Sequence, residues 1–412
     1  MCVVLKNCNI IPMSQDGILE AMDIYLSDDM IVEISKTGKN HYGDAKIIDC
    51  THKYVMPGLI DAHYHLYYGD ETSLSLNVAC GVTALRNMWG NQQMSHEIQE
   101  IDSFQMKKDI ESKMLLGPTL INTSRICDGE YPVVPTSRPQ GSLGSMEQFM
   151  KEALREGADQ IKVYEKLDKE VFDLIVELAN EYELKVVGHI PQAVNKKIFM
   201  NKAYSLEHTL SVDITDIEYM AKTNMLWVPT LIVENAIIAL ADGNYEDIIN
   251  KEYEQYLSPV AKKLWAMIAE RRKGISKDKD NPMNYYVDKA RGNMDKVRRY
   301  YELGREVAAG TDYANPYCYP GFGIHTEIKL IEQCGATKQQ ALRAATINAA
   351  RVLELEDRKG TIEVGKDADI VVLNANPFEN LGNTLSIETV VLMGTAYDRA
   401  SLDEILQKCR ES

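Results

Sequence analysis

Several features are scarce in this chain of 412 residues, and each scarcity removes a class of protein. No stretch approaches the roughly 18 consecutive apolar residues that a membrane span needs, which argues against an embedded protein. Basic residues are outnumbered, with 45 Lys plus Arg against 61 Asp plus Glu, and the net charge of −16 repels nucleic-acid phosphates and anionic lipid headgroups alike. The eight cysteines lie far apart, without a Cys-x-x-Cys pair or a framework spacing, so they read as thiols in a reducing compartment. The opening "MCVVLKNCNIIPMSQDG" soon turns polar and lacks the apolar core and small-residue cleavage site of a signal peptide. A cytoplasmic protein without nucleic-acid or membrane partners is therefore expected, with a homo-oligomer left open.

What is present is ordinary globular material: 45% hydrophobic and 26% charged residues, with no repeat or low-complexity tract. The length fits one large domain and a modest second one. Residues 1–56 alternate like short strands broken by turns, as in "VVLKNCNII" and "AMDIYLSDDMIVEIS". From about residue 57 apolar strands alternate with longer helical stretches, the pattern of parallel βαβ units. Eight strand candidates follow: "GLIDAHYHL", "VTALRNM", "PTLINTS", "QIKVYE", "LKVVGHI", "YSLEHT", "LWVPTLIV" and "EVAAGTD". "MEQFMKEALREGA" and "KEVFDLIVELANEYE" carry apolar residues at helical spacing between them. A (β/α)8 TIM barrel over residues 57–354 is expected. Strand texture returns in the tail, so residues 1–56 and 355–412 are expected to build one composite β-sandwich. The long charged stretch 234–301 reads either as solvated helices around a flexible loop or as a lid over the barrel mouth.

The chemistry begins in "VMPGLIDAHYHL". Side chains alternate along a strand, so His63 and His65 share one face while Tyr64 points away, and two imidazoles on one face can share a cation. In a barrel that face opens at the mouth, where strand ends carry catalytic residues. His-x-His alone is a weak signal, but "KVVGHI" ends in His189, "SLEHT" in His208 and "AAGTD" in Asp312. Imidazole and carboxylate suit a divalent ion such as zinc. The fourth strand adds Lys162, whose ammonium is costly inside a barrel. Its bland role is an ion pair with a site carboxylate; its sharper role is as a carboxylated lysine between two metals.

These segments, together with "ALRAATINAARVLELEDRKGTIEVGKDADIVVLNANPF", resemble the metal-dependent amidohydrolase superfamily, near its imidazolonepropionase-like and Xaa-Pro dipeptidase (prolidase)-like branch. The resemblance spans nearly the whole chain in the same order and implies the barrel and two-ended sandwich independently. Carried across by residue, it puts His63, His65 and Asp312 on one divalent ion and His189 and His208 on a second. Lys162, carboxylated by CO2, would bridge the two. Zinc is the first expectation and manganese an alternative. The implied reaction is hydrolysis of an amide bond, in a dipeptide, an N-acyl amino acid or a cyclic amide, by a metal-bridged hydroxide with Asp312 as general acid and base. A mononuclear cyclic-amide hydrolase or deaminase is the alternative, although the deaminase and imidazolonepropionase branches lack the bridging lysine and many of their members carry a glutamate where this chain has Gln192. A noncatalytic binding module of the same fold is another, but none of the six ligand positions is lost.

Three further residues are candidates for substrate contact: Tyr164, which shares the alternation phase of Lys162, His325 after the eighth strand, and Arg86 at the end of the second. Each has a plain structural reading, as a rim tyrosine, a helix-start histidine and an ion-paired arginine. Cys318 reads as a bystander thiol, and His41, His52 and His96 as ordinary surface or packing residues.

Overall fold

The computed structural model describes residues 2–40, 43–67, 69–91, 102–133, 138–139 and 143–411. His41 and His96 lie outside them. Five strands open the chain: β1 (Cys2–Ile10), β2 (Leu19–Ser27), β3 (Met30–Lys36), β4 (Lys46–Asp49) and β5 (Tyr54–Pro57). Next come β6 (Leu59–Tyr64), β7 (Val82–Asn87), β8 (Thr119–Asn122), β9 (Cys127–Asp128), β10 (Arg138–Pro139), β11 (Gln160–Val163), β12 (Lys185–Gly188), β13 (Ser205–Glu207) and β14 (Leu226–Val228). β15 (Ile370–Leu373), β16 (Ile387–Leu392) and β17 (Thr395–Asp398) lie near the end.

Both ends of the chain enter one eight-stranded sheet, in the order β17-β16-β15-β5-β1-β2-β3 with β4 beside β1. Hydrogen bonds thus join strands from both chain ends. The long β1 makes this continuity: it pairs with β2 on one side, and with β4 and then β5 on the other. Its apolar face, including Leu5, Ile10, Ile24, Val55, Ile370 and Val372, forms a core of its own.

The central part has a TIM-barrel-like α/β arrangement of parallel strands, in sheets ordered β6-β7-β8 and β10-β9-β11-β12-β13-β14. Ser124 N donates to Gln160 O at 2.7 Å, just past β8. The segment Glu306–Asp312, read from sequence as the eighth strand, is too irregular for a full ladder but bonds on both sides. Ala308 N reaches Trp227 O at 2.9 Å, Ala62 N reaches Ala309 O at 3.0 Å, and Asp312 N reaches His63 O at 2.7 Å. Gly310 permits that approach, because a Cβ there would sit 2.6 Å from Val228 Cγ1 and 2.8 Å from His63 Cβ. Ile60, Ala62, Ala84, Ile121, Val228 and Ala308 pack with residues of the Ile347–Val352 helix as an apolar floor.

The helices Met146–Glu156 and Lys169–Glu181 fall where periodicity places them, the first ending on left-handed Gly157. Two readings change. "LWVPTLIV" is strand only to Val228; Leu231 already belongs to the Leu231–Asp242 helix. The tail ends in the helix Arg399–Glu411, which buries Leu402, Ile405 and Cys409, a spacing that lines one helical face. The stretch 234–301 is largely helical, including Pro259–Arg272 and Asn284–Ala290, and Ile237, Ile268, Met283 and Val287 line the cavity at the mouth. It forms the roof of the site. No helix among the described residues is long and apolar enough to cross a membrane.

The contact at Gly310 is testable. Gly310→Ala is expected to lower unfolding stability by about 1–3 kcal/mol, read as a lower urea midpoint at unchanged slope. An unaltered midpoint would show that the segment can move away from His63 without cost.

Candidate metal centre

β6 is buried along its whole length, and His63 leaves it facing the mouth. Alternation works as expected: Tyr64 turns the other way, its hydroxyl accepting from Asn77 Nδ2 at 3.1 Å. His65, just past the strand, shares the cavity with His63. Lys162 enters from β11, His189 follows β12, His208 follows β13, and Asp312 ends the eighth segment. All six line one cavity of about 550 Å³, together with Tyr164.

The donors run in a connected arc. His65 Nε2 lies 2.9 Å and His63 Nε2 3.4 Å from Asp312 Oδ1. The rings of His63 and His208 are 4.7 Å apart, as are those of His208 and His189. Ligand atoms of His63, His208 and Asp312 all fall within 4.8 Å of one another.

Three of the imidazoles are oriented from behind. His63 Nδ1 meets Glu207 Oε2 at 2.9 Å, His189 Nδ1 meets Glu165 Oε1 at 3.3 Å, and His208 Nδ1 meets Thr230 Oγ1 at 2.6 Å. With Nδ1 engaged, Nε2 is the nitrogen left to bind a cation, the arrangement that fixes tautomer and ring direction in metal sites. Burial holds His63 and His189 well below the usual histidine range, with the Lys162 charge adding to it, and brings His208 to about 3. The shifts favour the neutral form, which is the one that binds a metal. Burial alone would raise the Asp312 carboxyl, but the His65 hydrogen bond and nearby positive charge, Lys162 included, outweigh it and the carboxylate is favoured.

Lys162 is the anomaly. Its Nζ is buried without a hydrogen-bond partner among the described residues, and burial, partly offset by Glu207, lowers its pKa to about 8. His65 Nδ1 is likewise buried and unpartnered. Two orphaned nitrogens beside imidazoles and a carboxylate fit a site that a metal ion would complete.

Two candidates for substrate contact lie elsewhere. Arg86 is buried beneath the site, with Nη2 on Glu207 Oε1 at 2.7 Å and Nε on Ala62 O at 2.7 Å, and it does not line the cavity. His325 is spent on Thr384 Oγ1 at 2.8 Å and Cys80 O at 2.9 Å, far from the mouth in its contacts. Both take the structural role, since their polar atoms are already satisfied by protein. Tyr164 does line the cavity, its ring 3.9 Å from that of His189. Burial pushes the Cys318 thiol well up, which suits a bystander. No disulfide joins any cysteine.

The model of the amidohydrolase family matches residues 54–396. The chain belongs to the amidohydrolase family. By sequence it is similar to the imidazolonepropionase of Kosmotoga olearia, 38% identical over 97 residues, which span 23% of each chain. It thus aligns with under a quarter of that relative's length. A longer match, 23% identical, joins 93% of this chain to 91% of the Brevibacillus brevis imidazolonepropionase. In fold, this amidohydrolase is similar to a bottromycin amidohydrolase (TM-score 0.79, 21% identity, covering 100% of this chain and 90% of that one). It is also similar to a Xaa-Pro dipeptidase (TM-score 0.74, 19% identity, 97% and 100%).

Sequence reading passed over Glu207, Glu165 and Asn315. Glu207 was visible in "SLEHT" as an acid inside a buried strand, which needs a cationic partner, and Arg86, read as a substrate contact or an ion-paired arginine, is that partner. Glu207→Gln tests the orientation of His63. The amide can still accept from Arg86, but its NH2 would face His63 Nδ1 and impose the wrong tautomer. Divalent-ion affinity is expected to fall about 10–100-fold with the far-ultraviolet circular dichroism unchanged; wild-type affinity would remove Glu207 from that role.

Proposed function

We propose that this amidohydrolase is a metal-dependent hydrolase that cleaves the C–N bond of a small-molecule amide. The observation that carries the reading is the convergence of His63, His65, His189, His208, Asp312 and the unpartnered Lys162 Nζ on one cavity. His63, His65 and Asp312 would hold one divalent ion, His189 and His208 a second, and Lys162, as N-carboxylysine, would contact both. Zinc suits the imidazole-rich set, with manganese as an alternative. Bound ions would lower the pKa of a coordinated water and polarise the scissile carbonyl. The names of the similar proteins, imidazolonepropionase and Xaa-Pro dipeptidase, support an amide-type bond.

The residues of the chain supply the proton chemistry. Asp312 is held from two sides, by His65 on Oδ1 and by Asn315 Nδ2 on Oδ2 at 3.0 Å. In that position it takes a proton from the attacking water and returns it to the leaving nitrogen. Water oxygen bonds to the carbonyl carbon, the C–N bond breaks, and an acid and an amine depart. The neutral amine of Lys162, accessible near neutral pH because burial brings its pKa to about 8, is the form that adds CO2. We read the strands as an eight-membered ring closed by Val307–Asp312, with small soluble amides rather than nucleic acid or membrane as partners.

A single-ion enzyme is the second reading. It is favoured by one observation: His63, His208 and Asp312 form a compact triad by themselves. Elemental analysis separates the two. Two ions per chain are expected in wild type, falling to one or none in Lys162→Ala with loss of turnover; one ion per wild-type chain would leave the single-ion reading, and unchanged loading and turnover in Lys162→Ala would remove the lysine bridge. At saturating metal, Asp312→Asn is expected to lower kcat by about 10²–10⁴-fold. A near-normal rate would exclude Asp312 from proton transfer.

A further inference from the structure

His208 is held differently from His63 and His189. Those two each face a carboxylate, which only accepts, whereas the partner of His208 is the Thr230 hydroxyl, which can donate or accept and turns about its bond. The hold on His208 is therefore only as good as the hold on Thr230. That residue is the N-cap of the helix Leu231–Asp242, a position where a threonine hydroxyl ordinarily accepts from N–H groups of the first turn. Here it makes no such bond. With φ of 49° the backbone is left-handed rather than extended, and Oγ1 meets His208 Nδ1 at 2.6 Å instead. Another helix supplies the missing cap: Glu327, on Gly323–Gln333, accepts from Leu231 N on one carboxylate oxygen at 2.9 Å and from Ile232 N on the other at 2.8 Å.

We propose that Glu327 is a positioning residue for metal binding: it caps the Leu231–Asp242 helix in place of Thr230 and so leaves the Thr230 hydroxyl to hold His208. The assignment rests on the metal-centre reading above but not on the ion count, because His208 belongs both to the two-ion set and to the compact triad with His63 and Asp312. Glu327 is fully buried, and an apolar side chain would serve packing alone. Burial raises its pKa to about 8 against the two N–H bonds that favour the charged form, so the position is unfavourable for an acid. What the acid offers there is two acceptors for two backbone N–H groups, at the positive end of a helix. A second carboxylate backs the other half of the same contact. Glu234 takes Thr209 N and Thr209 Oγ1 at 2.6 Å each, directly after His208. The left-handed turns at His208 and at Thr230 are thus each secured by a buried acid.

The experiment titrates Co2+ into metal-free wild type, Glu327→Gln, Glu327→Asp, Thr230→Val and the double variant E327Q/T230V, above the pH at which burial lets Glu327 ionise. Calorimetry reads ion affinity, visible absorption the ligand field, and the urea midpoint the fold. Gln keeps the shape of Glu but turns an NH2 toward one N–H, whereas Asp keeps both acceptors on a shorter stem. E327Q is expected to weaken Co2+ binding about 10–100-fold and to alter the absorption, and E327D to recover part of the loss. T230V should match E327Q, and the double variant should lose no more than T230V alone, because Glu327 acts through that hydroxyl. Wild-type affinity and spectrum in E327Q, or E327Q binding better than E327D, assigns Glu327 to packing and overturns the proposal. Additive losses in the double variant do the same. Should E327Q not fold, wild-type binding by T230V overturns it. Amide turnover is measured separately. A wild type that binds Co2+ and weakens as E327Q, yet cleaves no amide, sinks the hydrolase reading and leaves Glu327 in its role; an active hydrolase indifferent to E327Q loses only that role.

Discussion

One carboxylate that never meets solvent organises the mouth of this barrel-like fold. Glu207 accepts from Arg86 Nη2 and Ser205 Oγ on one oxygen and contacts His63 Nδ1 with the other. A buried acid of this kind is tolerable only because the guanidinium beside it is equally buried and equally dependent on it. Arg86 in turn reaches Ala62 O and Gln160 Oε1, so strands far apart in sequence are bound to one ion pair. Below it lies the apolar floor of Ile60, Ala62, Ala84 and Val228. Above it lie the imidazoles. The pair is thus a polar layer between packing and chemistry, and the direction of the His63 ring is set by the layer that holds the strands together.

The parallel strands supply the imidazoles, Lys162 and Asp312, while the helical roof lines the cavity above them. The two are linked through polar contacts as well as packing. Tyr286 from the roof donates to Glu165 Oε2 at 3.2 Å, and the other oxygen of Glu165 faces His189 Nδ1. Arg272 is joined to Asp312 through Asn315 in the same manner. Each roof contact therefore ends on a residue that orients the site, so displacement of the roof by a ligand would be felt at His189 and Asp312.

Much of this was legible in the residues because the strongest signals are periodic. The alternation of "DAHYHL" assigned His63, Tyr64 and His65 to their faces, and the strand-ending histidines and aspartate gather as their positions required. Pairings between elements were not legible. Arg86 stood at a strand end like a ligand, yet its partner Glu207 lies 121 residues away and turns it into an internal brace. His325 likewise finds Thr384 and Cys80 O, contacts set by packing rather than by local pattern. The C-terminal helix could have been read from Leu402, Ile405 and Cys409, but the strand texture just before it masked the change of period. Roof residues such as Arg272 carry no strand-end position to mark them, and only their placement over the cavity gives them a role.

Where strands end was legible, but the backbone conformation at those ends was not. His208, Thr230 and Asp312 have φ of 66°, 49° and 57°, in the left-handed region that side-chain-bearing residues rarely enter. Such residues cost about 1–3 kcal/mol each and persist where surrounding contacts hold them. The contacts here are specific: His208 and Thr230 hydrogen-bond to each other, and Asp312 is fixed by His65 and Asn315. A regular strand would continue past these points and carry the side chains away from the mouth. The left-handed turns halt it, so that a histidine and an aspartate from separate strands face one another. Propensity favours extending "SLEHT" and "AAGTD" as strands, and the network that serves the site overrides it.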